Sequence, residues 1–244
     1  MKALKRCELD DLIFIDIETV RGHRDLPSAP PVIQSAWNYK LRYSPEKLEG
    51  MQPETSYRDK AALYPEFGKI VCVSLGKISK DGSLIMSSCY EGQELRDGST
   101  VDSEKKLLEN TNKWISHFAN GRSVMLIGHA IKGFDIPYLF RRSLINRVVP
   151  HELFDTSMLK PWEMNALDTL ELWKGTGFYS ASLLSIAACF DLPSPKIDIE
   201  GSETSEVYYS DADDSVIRIK DYCERDVKTV VNIVRSIRQE PIYE

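Results

Sequence analysis

Two carboxylates stand two residues apart at the end of a short apolar run, Asp16 and Glu18 in "LIFIDIET". In a strand, alternate residues share a face, so both acids would project side by side from the end of a buried element. Like charges so placed repel unless a cation lies between them, and carboxylate oxygens are the ligands that hard divalent ions prefer. The letters "IDIE" recur at Asp198 and Glu200, but there they follow "LPSPK" and precede Gly201. That setting breaks regular structure and predicts a solvated loop. The first copy is therefore the candidate metal-binding pair.

One pair of acids rarely holds catalytic metals alone, and two further acids have suitable settings. Asp135 in "GHAIKGFDIPYLFRR" follows the apolar run "VMLI" by a short loop and precedes an apolar helix. Taken by itself, with Pro137 in the first turn, it reads more readily as an ordinary helix N-cap. In "KDYCERDVKTVVNIV", Tyr222 and Asp226 are four residues apart and share a helix face. Val216, Ile219, Cys223, Val227, Val230, Val234 and Ile237 form the apolar stripe of that helix, and Tyr222 and Asp226 fall on one border of it. An acid there needs a partner, either a cation or a neighbour such as Arg225 or Lys228. Tyr209 and Asp213 repeat the spacing inside "YYSDADDS", which is polar and aperiodic.

The elements that must carry these residues follow from periodicity. A buried strand covers Leu12 to Ile17, and "KIVCVSLGKIS" and "SLIMSSCY" form a hairpin around Lys80-Asp81-Gly82. Helical spacing marks "VDSEKKLLENTNKWISHFAN", and "SVMLIGH" is another strand. Helices are predicted from about 135 to 148, near 167–174, near 181–190 and from about 213 to 238. The proline-containing stretch at about 20–66 reads as an irregular excursion with two short helices. Strand, hairpin, helix, strand, helix and a long final helix imply an α/β fold, a mixed sheet covered by helices, in one domain over residues 1–244. Apolar residues make up 42% of the 244, enough for a sizeable core. No signal-peptide core or membrane-length run is present, and the five cysteines are scattered, so a cytoplasmic protein with reduced thiols and no membrane partner is expected. With a formal charge of -6, contact with a polyanion must come from a local basic patch or from bound cations.

In order, "FIDIET", "GHAIKGFDIPYL" and "YCERD" resemble the three motifs of the DEDD superfamily of 3′–5′ exonucleases. The similarity looks closest to the exonuclease domain of family B DNA polymerases, here with no polymerase domain in the chain. The resemblance implies a ribonuclease H-like fold, with a mixed sheet of five to six strands flanked by helices. It also implies two Mg²⁺ or Mn²⁺ ions held by Asp16, Glu18, Asp135 and Asp226, with Tyr222 oriented toward the attacking water. Asp221 stands where the histidine branch of the superfamily would need histidine, so the chain resembles the tyrosine branch. The implied reaction trims single-stranded DNA from its 3′ end and releases nucleoside 5′-monophosphates. Thr19, His129, Phe134, Arg141 and Lys196 are candidate substrate contacts, with Lys132, Arg142, Arg225 and Lys228 as further cations near the motifs. His129 and Asp168 also have structural readings, as a satisfied histidine and a helix cap. One departure is Ala130, where related sequences often carry asparagine. RNA trimming by an enzyme of the same superfamily and a catalytically silent nucleic-acid-binding module are the alternatives.

Overall fold

The computed structural model of the chain describes residue 4 and residues 7–43, 50–210 and 212–244. Five strands form one mixed sheet: β1 (Leu12–Arg21), β2 (Gly68–Ile78), β3 (Leu84–Tyr90), β4 (Met125–Gly128) and β5 (Ala166–Asp168), in the order β3-β2-β1-β4-β5. The first three pair antiparallel, and β4 and β5 add in parallel on the other side of β1. β5 lies where helix was expected from residue 167. Three residues are too few to show a period of two.

The alternation along β1 sorts the layers. Ile13, Ile15 and Ile17 pack into the core formed with α3 (Glu104–Ala119) and α4 (Asp135–Ile145). Leu12 and Phe14 point the other way, against Val227, Val230, Val231 and Val234 of the long last helix, α8 (Ser215–Arg238). α3 starts on a Ser103 side chain that accepts from the Lys106 N–H, and it ends at Asn120 in a left-handed conformation. Between α4 and α8 lie the short helices α5 (Thr169–Lys174), α6 (Leu183–Cys189) and α7 (Thr204–Tyr208).

The stretch between β1 and β2 contains the two short helices expected there, α1 (Pro31–Leu41) and α2 (Pro53–Lys60), each opening on proline. Residues 44–49 of that stretch lie outside the described residues. The helices close over an aromatic cluster in which Trp37 meets Tyr57 at 5.3 Å and Phe67 at 4.9 Å, edge to face.

Two backbone positions bring the loop after β4 against β1. At Gly128 a Cβ would lie 2.2 Å from Ile131 Cγ2 and 2.6 Å from the Ile15 carbonyl oxygen, so only glycine permits the approach. Ala130 then takes a φ of 61°, a left-handed conformation that asparagine adopts more readily than alanine. The Asp168 carboxylate holds this loop: it accepts from the Ala130, Lys132 and Leu170 N–H groups, and the last of these caps α5 as expected.

Candidate active site

Since Phe14 faces α8, so do Asp16 and Glu18 two and four residues later. α8 runs back along β1, placing Cys223 against Asp16 and Ile219, Tyr222 and Cys223 over Val20. The register of β1 on β2 slips between Glu18 and Thr19, which pair with Cys72 and Ile70. This bulge leaves Val71 unmatched, and Val71 and Cys72, adjacent in sequence, both pack toward α8.

β4 pairs with β1 only from Leu12 to Phe14, so the strands part just before the acids. Asp135, the first residue of α4, fills the fork, and its Oδ1 accepts the Ile17 N–H at 3.1 Å. On the opposite side the Thr204 hydroxyl of α7 donates to Glu18 Oε2 at 3.2 Å. The Cys223 thiol donates to Asp16 Oδ2 at 3.3 Å, and ligand atoms of Asp16, Glu18 and Cys223 all lie within 4.8 Å of one another. Asp226 follows one turn along α8, close enough for its charge to act on both Asp16 and Glu18. Four acids from three distant segments thus converge. Three of them, Glu18, Asp135 and Asp226, are 7%, 4% and 9% exposed.

Burial and mutual repulsion hold these acids well above the usual carboxylate range. For Asp16 burial is the larger cause, followed by the charges of Asp226, Asp135 and Glu18. Burial likewise raises Glu18, helped by Asp226. Asp135 is pushed up to about 7, although the Ile17 N–H partly offsets its burial. Asp226 is pushed up to about 6, with the Tyr222 hydroxyl, Arg225 and Lys196 opposing its burial. The Asp226 Oδ1 atom is buried without a hydrogen-bond partner. An orphaned acceptor among carboxylates that resist ionisation fits a hard divalent cation, which would complete its coordination and offset the repulsion.

Acids whose pKa rises on folding weaken the metal-free fold as pH climbs from their unfolded value through the folded one; here that window runs from about 4 to about 7. A divalent ion displaces the protons, so its stabilising effect is expected to grow from about pH 5 to about pH 8. Thermal melting with Mg²⁺, Mn²⁺ or chelator at both pH values measures this, and equal shifts at the two would contradict it.

A family model described as a predicted 3′–5′ exonuclease related to the exonuclease domain of PolB matches residues 60–233 of the 244. The chain belongs to this exonuclease family. The matched segment carries Asp135, Tyr222 and Asp226, and β1 with Asp16 and Glu18 precedes it. Among solved structures, the family B DNA polymerase from the hyperthermophilic archaeon Pyrobaculum calidifontis superposes with a TM-score of 0.55 at 15% identity, over 93% of this chain and 24% of the polymerase. At that identity the likeness is one of fold, and the five-stranded mixed sheet flanked by helices is the ribonuclease H-like architecture. The chain spans about a quarter of the polymerase's length. No curated protein matches the chain. Membership makes it a hydrolase acting on nucleic acid, of a kind that uses divalent metals. No helix among the described residues is long and apolar enough to cross a membrane.

In this exonuclease the other candidate contacts have various placements. The Thr19 hydroxyl donates to the Ala62 carbonyl. Phe134 is half-buried against the α3–α4 core, 5.2 Å from the Tyr138 ring. Both ring nitrogens of His129 are partnered, one with Thr169 Oγ1 and one with the Ala181 carbonyl, and burial lowers its pKa. Lys196 pairs with Glu200 at 3.4 Å, and its charge reaches Asp226. Arg141 is exposed. The further cations are committed inside the protein: Lys132 to Glu171, Arg142 to Glu104, Arg225 to Asp198 and Lys228 to the Glu244 carbonyl.

Two contacts escaped sequence reasoning. Cys223 reads as core, yet it touches the first acid. Thr204, in "GSETSEV", has no local signal. The second "IDIE" lies on a loop whose acids face solvent, but it wraps the site: Ile199 is buried beside Tyr222, and a Cβ on Gly201 would lie 3.7 Å from the Tyr222 hydroxyl.

Proposed function

We propose that this chain is a metal-dependent 3′–5′ exonuclease that acts as a single domain on single-stranded DNA and releases nucleoside 5′-monophosphates. The observation that carries this reading is the convergence of Asp16, Glu18, Asp135 and Asp226 in a buried cluster, with Asp226 Oδ1 left unpartnered. These four acids would hold a pair of Mg²⁺ or Mn²⁺ ions, which supply an activated water and neutralise charge on the leaving 3′ oxygen. Thr204 and the Ile17 N–H fix two of the four carboxylates before any ligand arrives.

Tyr222 borders the cluster on α8, 5% exposed, beside Asp226. Burial, followed by the negative charges of Asp226, Glu18 and Asp16, drives its hydroxyl far above the ordinary tyrosine range. It stays protonated at neutral pH and orients the attacking water through a hydrogen bond, without removing a proton. Loss of one hydrogen bond to a charged group is worth about 1.5 to 3 kcal/mol, so Tyr222→Phe is expected to slow hydrolysis roughly tenfold to a hundredfold. The melting shift on adding Mn²⁺ should remain as in the parent. A variant of full activity would remove Tyr222 from the reaction.

Digestion of end-labelled single-stranded DNA and RNA with Mg²⁺, Mn²⁺ or chelator tests the whole reading. Stepwise shortening of 5′-labelled DNA with release of 5′-mononucleotides is expected, and chelator should stop it. Metal-dependent trimming of RNA alone would move the substrate to RNA. Absence of cleavage with retained binding would make the chain a nucleic-acid-binding module.

A further inference from the structure

The cations next to the acids are mostly spent on internal partners, so the substrate's phosphates must be gripped elsewhere. Cations gather in a cleft made of two adjoining cavities of about 440 and 730 Å³ that share Arg96, Trp114 and His117; Lys77 and Arg122 among them are spent, on the Phe118 carbonyl and on Asp10 and Asp11. Lys113 lines the first, and Lys77, Lys80 and Arg122 line the second. Lys80, Arg96 and Lys113 are exposed, and their side chains make no hydrogen bond or ion pair among the described residues. The acids of the cleft are fewer. Of these, Asp10 is engaged by Arg122 at 2.9 Å, Asp97 accepts from the Ser99 N–H and hydroxyl, and Glu94 is exposed. Trp114 is half-buried in the wall, with His117 and Phe118 edge-on to it at 5.6 and 5.9 Å. In a chain of net charge -6, five cations against three acids around an aromatic ring make a local excess of positive charge, the combination that binds single-stranded nucleic acid.

We propose that this cleft is an exosite that grips the phosphodiester backbone of a single strand upstream of the 3′ end being cut, a role that rests on the exonuclease reading. Lys77 pairs with Ile13 and donates to the Phe118 carbonyl, so the cleft opens on the α3 face of the sheet, whereas Asp16 and Glu18 face α8. A strand that engages both must pass round the edge of the sheet. Strands too short to do so reach only the acids; longer ones engage both places.

The test compares the parent protein with the triple variant Lys80→Glu/Arg96→Glu/Lys113→Glu. A control carries the same charge change at Arg42, Lys105 and Arg147, which line neither cavity. Binding of a labelled strand of about 20 nucleotides is read by fluorescence anisotropy in chelator, so that it does not depend on cleavage. The triple variant is expected to bind at least about tenfold more weakly, with the slope of log affinity against log salt shallower by about 2, three contacts at about 0.7 each. The control should keep the parent's affinity to within a few-fold. With metal present, the parent should prefer the long strand to a dinucleotide, and the triple variant should lose that preference. Unchanged affinity and slope in the triple variant, or an equal loss in the control, overturns the exosite even if the parent cleaves. A parent that binds through the cleft and cleaves nothing overturns the exonuclease reading and leaves the exosite standing.

Discussion

Asp16→Asn is expected to make the metal-free protein more resistant to heat and, at the same time, inactive. Asp16 is held far from its normal titration range by burial and by three neighbouring acids. Asparagine fills nearly the same volume without the charge, which relieves the repulsion felt by Glu18, Asp135 and Asp226. A higher melting temperature of the metal-free protein at about pH 8, where the parent's acids are under most pressure to ionise, follows. On the proposed function the same change would remove a metal ligand, and the loss of several kcal/mol of transition-state stabilisation would lower the rate at least about a thousandfold. Melting in chelator together with single-turnover digestion measures both effects. A variant that is destabilised without metal, or that retains near-parent activity, would contradict the placement of Asp16 at the centre of the site.

The largest loss of stability is expected outside the acid cluster, at Glu104→Ala. Glu104 opens α3, and its carboxylate receives the Ile70 N–H of β2 at 2.8 Å, the Asn146 amide at 2.9 Å and the guanidinium of Arg142 on α4. Arg142 also donates to the Pro65 carbonyl at 2.7 Å. The side chains of Arg142 and Glu104 are only 12% and 8% exposed, so removing the acid strands a positive charge in the interior. The expected cost is about 3 to 5 kcal/mol, a fall in melting temperature on the order of 10 °C for a chain this size. Combining it with Arg142→Met should recover a large part of the loss, since neither charge is then left alone. A drop of less than about 1 kcal/mol in the single variant would show that water reaches the guanidinium.

Arg142 also marks where the sequence stops being informative. Its neighbourhood in "FRRSL" suggests a cation free to meet substrate, because the partner that consumes it is 38 residues away in sequence. Lys132 and Arg225 are spent on partners 39 and 27 residues off. Alternation along "LIFIDIET" and the stripe of the last helix were legible because a period of two or 3.6 is a local property. The same periods assign Asp16 and Glu18 to the face that meets α8. They place Tyr222 and Asp226 on the border of the stripe, whereas both are buried, since α7 and the loop of residues 195–203 close over that side. Thr204 was invisible for the same reason. Its part is decided by a segment packing back from 186 residues away, and no spacing encodes that.

The way β1 and β4 diverge ties the centre to the sheet's own breathing. Asp135 is the acceptor that keeps the Ile17 amide from being left bare in the fork, so the side chain cannot swing out without stranding that N–H. Deuterium uptake at that one amide is therefore a direct clock for how often the acid constellation falls apart, readable in solution with neither ion nor polynucleotide added.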